Sequence, residues 1–206
     1  MKKLTLILIV MFFGVVASTS AQVPGIPSKP FNLYLDAGLN STSAPDAFKD
    51  YHKLGYHAEG GIGFNAAPFI QIVGKVGINT IAKDWNFVPG LSDVLQGGNV
   101  KVLTFGLDAR TSIGAPAVPI KPFGFIGGGY AKVSEDDIAL SSIATGVIED
   151  YYSNGLADQT KFYYNIGAGL EFGGGPFSFF FQAKYTSIAT EGGSIKYIPV
   201  SFGIKF

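Results

Sequence analysis

Ser201-Phe202-Gly203-Ile204-Lys205-Phe206 closes the chain in strict alternation, with Phe202, Ile204 and Phe206 on one side and Ser201, Gly203 and Lys205 on the other. A period of two places successive side chains on opposite faces of a strand. Backwards, the pattern adds Ile198 and Val200 to the apolar face, and Tyr197 and Pro199 to the other. Further towards the amino terminus the same alternation recurs, segment after segment, between turns. The chain reads as all-β.

Seven earlier segments emerge. Phe31, Leu33, Leu35, Ala37 and Leu39 oppose Asn32, Tyr34, Asp36 and Gly38. Tyr56, Ala58, Gly60, Ile62 and Phe64 oppose His57, Glu59, Gly61 and Gly63. Ile70, Ile72, Gly74, Val76 and Ile78 oppose Gln71, Val73, Lys75, Gly77 and Asn79, and Leu103, Phe105, Leu107 and Ala109 oppose Thr104, Gly106, Asp108 and Arg110. The fifth segment sets Phe123, Phe125, Gly127, Gly129 and Ala131 against Gly124, Ile126, Gly128, Tyr130 and Lys132. The sixth has Phe162, Tyr164, Ile166, Ala168, Leu170 and Phe172 in front of Lys161, Tyr163, Asn165, Gly167, Gly169 and Glu171. The seventh has Phe177, Phe179, Phe181, Ala183 and Tyr185 in front of Ser178, Phe180, Gln182 and Lys184.

A soluble barrel turns its apolar face inward, whereas a membrane barrel turns it to lipid. Three features favour the membrane arrangement. The second faces are rich in glycine, as suits the narrow interior of eight strands. They carry opposite charges in pairs, Asp108 with Arg110 and Lys161 with Glu171, as a desolvated lumen requires. The apolar faces carry no charge, where Lys or Arg at mid-bilayer would cost about 2–4 kcal/mol. The expectation is an eight-stranded antiparallel up-and-down transmembrane β-barrel. A soluble exported binding barrel is the structural alternative.

Connection lengths point the same way. Ser41 to Leu54, Ala82 to Gly98 and Ser134 to Gln159 are long; Asn65 to Pro68, Gly114 to Pro119 and Gly173 to Pro176 are short, and Ile188 to Ser194 is modest. Short periplasmic turns and long outer loops characterise such barrels. Phe31, Phe64, Phe123, Phe172, Phe177 and Phe206 then form a periplasmic aromatic girdle, with Tyr56, Phe162 and Tyr185 at the other interface.

The first residues carry an export signal: Lys2 and Lys3, an apolar run from Leu4 to Val16, and the small-residue region Ala17-Ser18-Thr19-Ser20-Ala21. The run is shorter than the roughly 20 residues of a spanning helix. Cleavage after Ala21 leaves residues 22–206 as one barrel domain behind a signal peptide at 1–21. Fifteen basic residues balance fifteen acidic ones, so no global field draws nucleic acid. With no cysteine, disulfides and thiolate chemistry are excluded. Twenty-eight glycines stand well above the usual share of about 7%, and 14% of residues are aromatic, as β-structure favours.

Signal, eight alternating segments, loop pattern and terminal Phe206 together resemble the small outer-membrane β-barrels that include the OmpA transmembrane domain and OmpX. The resemblance spans the mature chain and is one of pattern, without a sharp motif. It implies a place in the outer membrane, contact with outer-membrane lipid including lipopolysaccharide, and insertion by the outer-membrane assembly machinery through the strand ending at Phe206. Unlike full-length OmpA, the chain shows no peptidoglycan-binding segment, so a cell-wall tether is not implied.

Candidate chemistry is sparse. Gly124-Phe125-Ile126-Gly127-Gly128-Gly129 lacks the strand–turn–helix setting of a dinucleotide loop and reads as strand glycine. His57 and Glu59 share a face, and with a serine they are the raw material of a lipid hydrolase. Facing the lumen, they read instead as a hydrogen-bonded pair. Metal binding by that pair with His52 lacks ligand spacing. The acidic stretch 134–159, with Glu135, Asp136, Asp137, Glu149, Asp150 and Asp158, matches no calcium-loop pattern and reads as a solvated loop. Trp85 in Lys83-Asp84-Trp85-Asn86-Phe87 is a loop anchor for a partner or a neighbouring loop. In the lumen, Asp36, Glu59, Asp108 and Glu171 face Lys75, Arg110, Lys132, Lys161, Lys184 and Lys205, with Tyr34, Tyr130, Tyr163, Phe180 and Tyr197 as fillers.

No catalytic, cofactor or metal residue is assigned and no cofactor is expected. The leading reading is a non-enzymatic outer-membrane protein acting in envelope integrity or surface interaction through its loops. A narrow small-solute pore and a lipid-modifying barrel enzyme are the alternatives.

Overall fold

A computed structural model describes residues 31–44, 54–67, 70–84, 95–112, 120–135, 138–140, 159–173, 177–190 and 193–206. The export signal at 1–21, His52, Trp85 and most of the acidic stretch lie outside the described residues. Among the described residues ten strands form: β1 (Phe31–Ala44), β2 (Gly55–Ala67), β3 (Ile70–Ile81), β4 (Leu95–Gly97), β5 (Val100–Ser112), β6 (Ile120–Glu135), β7 (Ile138–Leu140), β8 (Gln159–Gly173), β9 (Ser178–Thr190) and β10 (Gly193–Lys205). Eight of them close an antiparallel barrel in the order β1-β10-β9-β8-β6-β5-β3-β2. Closure removes the unpaired sheet edges that no bilayer tolerates.

The seam joins the first strand to the last. Ala37 pairs with Phe202 and Tyr34 with Lys205, and beyond them Leu33 and Phe206 exchange backbone hydrogen bonds of 3.2 and 2.9 Å. Pro199 has no N–H to give, and the β10–β9 ladder is interrupted at Ile198 and Pro199 without a change of register, while the pairing with β1 runs through both.

Burial is inverted relative to a soluble barrel. Leu35, Val76 and Phe202 are 50%, 48% and 55% exposed, whereas Lys75 and Asp108 are 6% and 7%. The outward face is therefore the apolar one, and the soluble alternative falls. Aromatic pairs Phe31–Phe64 and Phe177–Phe179, with ring centroids 5.6 and 5.7 Å apart, sit near the end carrying the short turns. Tyr130–Phe162, 6.3 Å apart, lies towards the other end.

The register of β6 is the opposite of the one its sequence suggests. Phe123, Phe125 and Ala131 point inward at 3%, 7% and 0% exposure, and Ile126 and Tyr130 point outward at 61% and 63%. Phe123 pairs with Gly169 and Phe125 with Gly167 on β8, and each ring fills the space its facing glycine leaves. Phe123 thus leaves the periplasmic girdle, and Tyr130 is not a lumenal filler. Lys132 is likewise exposed on the outer face near the strand's end, where a lysine stem runs along apolar surface and its ammonium reaches the interface.

At the long-loop end, β1 continues to Ala44, and β9 and β10 run on to Thr190 and Gly193, so most of the modest loop expected at Ile188–Ser194 is strand and two residues, 191 and 192, separate the strands. Short strands β4 and β7 pair above the barrel, Gln96 opposite Ala139.

Candidate functional site

The lumen is filled in three layers. Nearest the short turns lies an aromatic layer of Tyr34, Val73, Phe123, Phe125 and Phe180. Arg110 is set among these rings, its guanidinium carbon 3.5 Å from the Phe123 centroid, 5.0 Å from Tyr34 and 5.3 Å from Phe180. A planar, weakly hydrated cation suits such stacking. Arg110 Nη2 donates to Glu171 Oε2 at 3.3 Å, and Lys205 Nζ donates to the other oxygen of the same carboxylate. Tyr34 donates to Gln71, whose Nε2 donates to Asn65 Oδ1 at 2.8 Å. Strands β1, β3, β5, β6, β8, β9 and β10 all contribute to this layer, which crosses the bore.

Above it lies a charged layer. Lys75 Nζ is 2.5 Å from Asp108 Oδ2 and 3.7 Å from Glu59 Oε1, and Lys184 Nζ is 2.7 Å from Glu59 Oε2. Asn165 Nδ2 donates to Asp108 Oδ1 at 3.2 Å, and Gln182 Nε2 to Asp36 Oδ2 at 3.5 Å. A cavity of about 20 Å³, room for one water molecule, remains where Asp36, Glu59, Lys75, Asp108, Arg110 and Gln182 converge. The charges do pair, but not as neighbours along a strand. Residues two apart point the same way roughly 6.6 Å from each other, whereas side chains from different strands converge in a narrow bore. Asp108 therefore takes Lys75 instead of Arg110, and Glu171 takes Arg110 and Lys205.

The third layer, towards the long loops, is apolar: Ile81, Val100, Val102, Ala131, Val133, Ile188 and Ile195 pack with Tyr163 and Tyr197. Sequence reasoning missed it because it gathers the ends of strands that run further than their alternation suggested.

The expected His57–Glu59 pair does not form. Glu59 is taken by the two lysines, and the carboxylate beside His57 is Asp36, with Nε2 and Oδ1 3.5 Å apart. Ser201 shares the row, since Gly38 pairs with Ser201 on one side and His57 on the other. His57 and Ser201 are 3% and 2% exposed and lie inside the bore, out of reach of bilayer lipid. Gly124 to Gly129 lie within β6, in strand conformation throughout.

Outside the bore, the connection after β3 and the one after β6 are tied by the β4–β7 pair, and Lys83 bridges to Glu135 at 3.3 Å while its backbone N–H donates to Asn99 Oδ1 at 3.1 Å. Three-residue strands carry too little alternation to be seen in sequence; this tie was not anticipated.

No family model matches the sequence, and no curated protein matches it. Solved structures do match in fold. Neisserial surface protein A superposes with a TM-score of 0.60 at 13% identity, over 85% of this chain and 96% of that one. The N-terminal barrel domain of Pseudomonas aeruginosa OprF gives 0.48 at 16% identity over 85% and 97%, and the attachment invasion locus protein Ail of Yersinia pestis 0.46 at 14% over 85% and 99%. The chain has the fold of a small outer-membrane β-barrel, and its outward apolar belt and buried charges suit strands that cross a bilayer.

Proposed function

We propose that the protein is a non-conducting, non-enzymatic outer-membrane barrel that acts through its outer loops, in envelope integrity or surface interaction. The layer formed by Arg110, Phe123, Phe180, Tyr34 and Glu171 carries the reading, because a bore closed by stacked rings and a paired cation has no path for solute. The burial of His57 and Ser201 supports a non-enzymatic role, since neither is within reach of an acyl chain. Function then falls to the rim, where loops carry binding on a rigid scaffold. Outer-membrane lipid, including lipopolysaccharide, is the surrounding partner, and the strand ending at Phe206 is the segment read by the assembly machinery.

Planar-bilayer recording tests the central point. The folded protein is expected to stay silent, while Phe123→Ala combined with Phe180→Ala opens steps of conductance. Steady channels from the unaltered protein would overturn the reading. Deleting residues 141–157 is expected to leave heat-modifiable migration intact and to change only cell-surface binding or envelope permeability.

A further inference from the structure

The apolar layer near the mouth draws its members from β3, β5, β6, β8, β9 and β10, and none from β1 or β2. Beside it, and reaching down to the charged layer, the inward face of β1 is polar, with His57 of β2 and Ser201 of β10 flanking it. Climbing from the charged layer, it presents Asp36, then His57 and Ser201 on either side of Gly38, then Asn40, then Thr42. All five side chains are at least nine-tenths buried. Yet His57 Nδ1, Ser201 Oγ, Asn40 Oδ1 and Thr42 Oγ1 have no hydrogen-bond partner among the described residues, and His57 Nε2 and Asp36 Oδ1, 3.5 Å apart, face each other without the geometry of a hydrogen bond. Asn40 is fixed by its Nδ2, which donates to the Tyr56 carbonyl at 3.1 Å and leaves Oδ1 unmatched.

One isolated unmatched atom is tolerable; a file of them on one wall is not, because a buried polar group left unpaired costs about 1–3 kcal/mol. The chemistry of the set identifies what satisfies it. Carboxylate and amide oxygens need donors, hydroxyls serve either way, and an imidazole needs one of each. A molecule that both donates and accepts meets every member; a bare cation leaves the imidazole N–H unmet. Successive rungs on β1 are about 6.6 Å apart, which one bridging molecule with two hydrogen bonds of about 2.8 Å nearly spans.

We infer that a file of water molecules enters at the loop end, runs down the β1–β2–β10 wall past Thr42, Asn40, Ser201 and His57, and stops at Asp36. The aromatic layer beneath ends it, so this is a blind crevice. It hydrates the charged layer from the cell exterior alone, and protons reach Asp36 and Glu59 from that side only.

The chain contains no cysteine, so single cysteines report cleanly. Thr42→Cys, Asn40→Cys and Ser201→Cys, refolded in detergent and verified by heat-modifiable migration, are treated with silver ion, with Val73→Cys in the aromatic layer as reference. Reaction rates should fall in the order Thr42, Asn40, Ser201, and all should exceed the Val73 position by at least about tenfold, because thiol reactivity follows solvent access. Adding Thr42→Trp should suppress the Ser201 reaction. A folded Ser201→Cys as inert as Val73→Cys, or one indifferent to Thr42→Trp, would overturn the crevice. If Ser201→Cys does not fold, an Asn40 position no faster than Val73 does the same. None of these results bears on conductance, so this inference fails separately from the closed-bore reading.

Discussion

Arg110 lies face-on against Phe123, its guanidinium carbon 3.5 Å from the ring centroid, while Nη2 holds Glu171. The contact joins β5, β6 and β8 at the bottom of the bore and leaves both a charge and an aromatic face satisfied without solvent. Removing one partner of a buried charge pair typically costs about 3–5 kcal/mol, because the other charge is stranded. Arg110→Met should fall at the low end of that range, since Glu171 keeps Lys205. Arg110→Lys should lose about 2 kcal/mol, keeping charge but not the flat stack or the donor fork. Urea unfolding in detergent, followed by loss of the fast-migrating folded band, measures both.

Lys75 and Asp108 should behave as a coupled unit. Lys75→Met and Asp108→Asn are each expected to destabilise, and the double variant to be less harmed than the sum, with a coupling of about 1–3 kcal/mol. Strict additivity in the cycle would show that the 2.5 Å approach contributes nothing specific.

Glycines on β6 and β8 should differ sharply in tolerance. A methyl group on Gly169 would collide with the Phe181 carbonyl oxygen and the Phe123 ring, whereas on Gly124 the nearest atom is the Gly167 oxygen at 3.8 Å. Gly169→Ala is expected to cost about 1–3 kcal/mol or to block folding, and Gly124→Ala to refold with the same yield as the parent.

The inverted face of β6 is open to spin labelling. A nitroxide at Ile126 should relax with membrane-dissolved oxygen and resist a water-soluble nickel chelate; one at Ala131 should be shielded from both. The reverse pattern would restore the register in which Phe123 and Phe125 meet lipid.

Gln96 and Ala139 are directly opposed across β4 and β7, and opposed Cα atoms in antiparallel strands lie about 4.5–5.5 Å apart, within disulfide range. Gln96→Cys with Ala139→Cys should oxidise spontaneously, and the reduced and oxidised forms should separate on a denaturing gel. Persistent free thiols would mean that the two connections are not held together.

Seven of the eight barrel segments carry their register in their own side chains, because Leu, Ile, Val and Phe alternate there with charge, amide or glycine. The fifth does not, since Gly127-Gly128-Gly129 erases the face signal in mid-strand. Its answer lies in Gly167 and Gly169, which sit 42 and 46 positions downstream of Phe125 and Phe123 in the numbering yet adjoin them in the sheet. The ion pairs hide for a similar reason: which lysine meets which carboxylate depends on how strands wrap around the bore. Gly38 was readable only as small; a Cβ there would press within 2.7 Å of the Ser201 Cα, so close approach of β10 dictates it.

The β4–β7 tie means that residues 95–97 and 138–140, from two different connections, form a single composite unit. An antibody raised against this pair would contact both connections at once, and a linear peptide copied from either would display half of the epitope without its geometry. Immunogens drawn from this region therefore need the intact barrel beneath them.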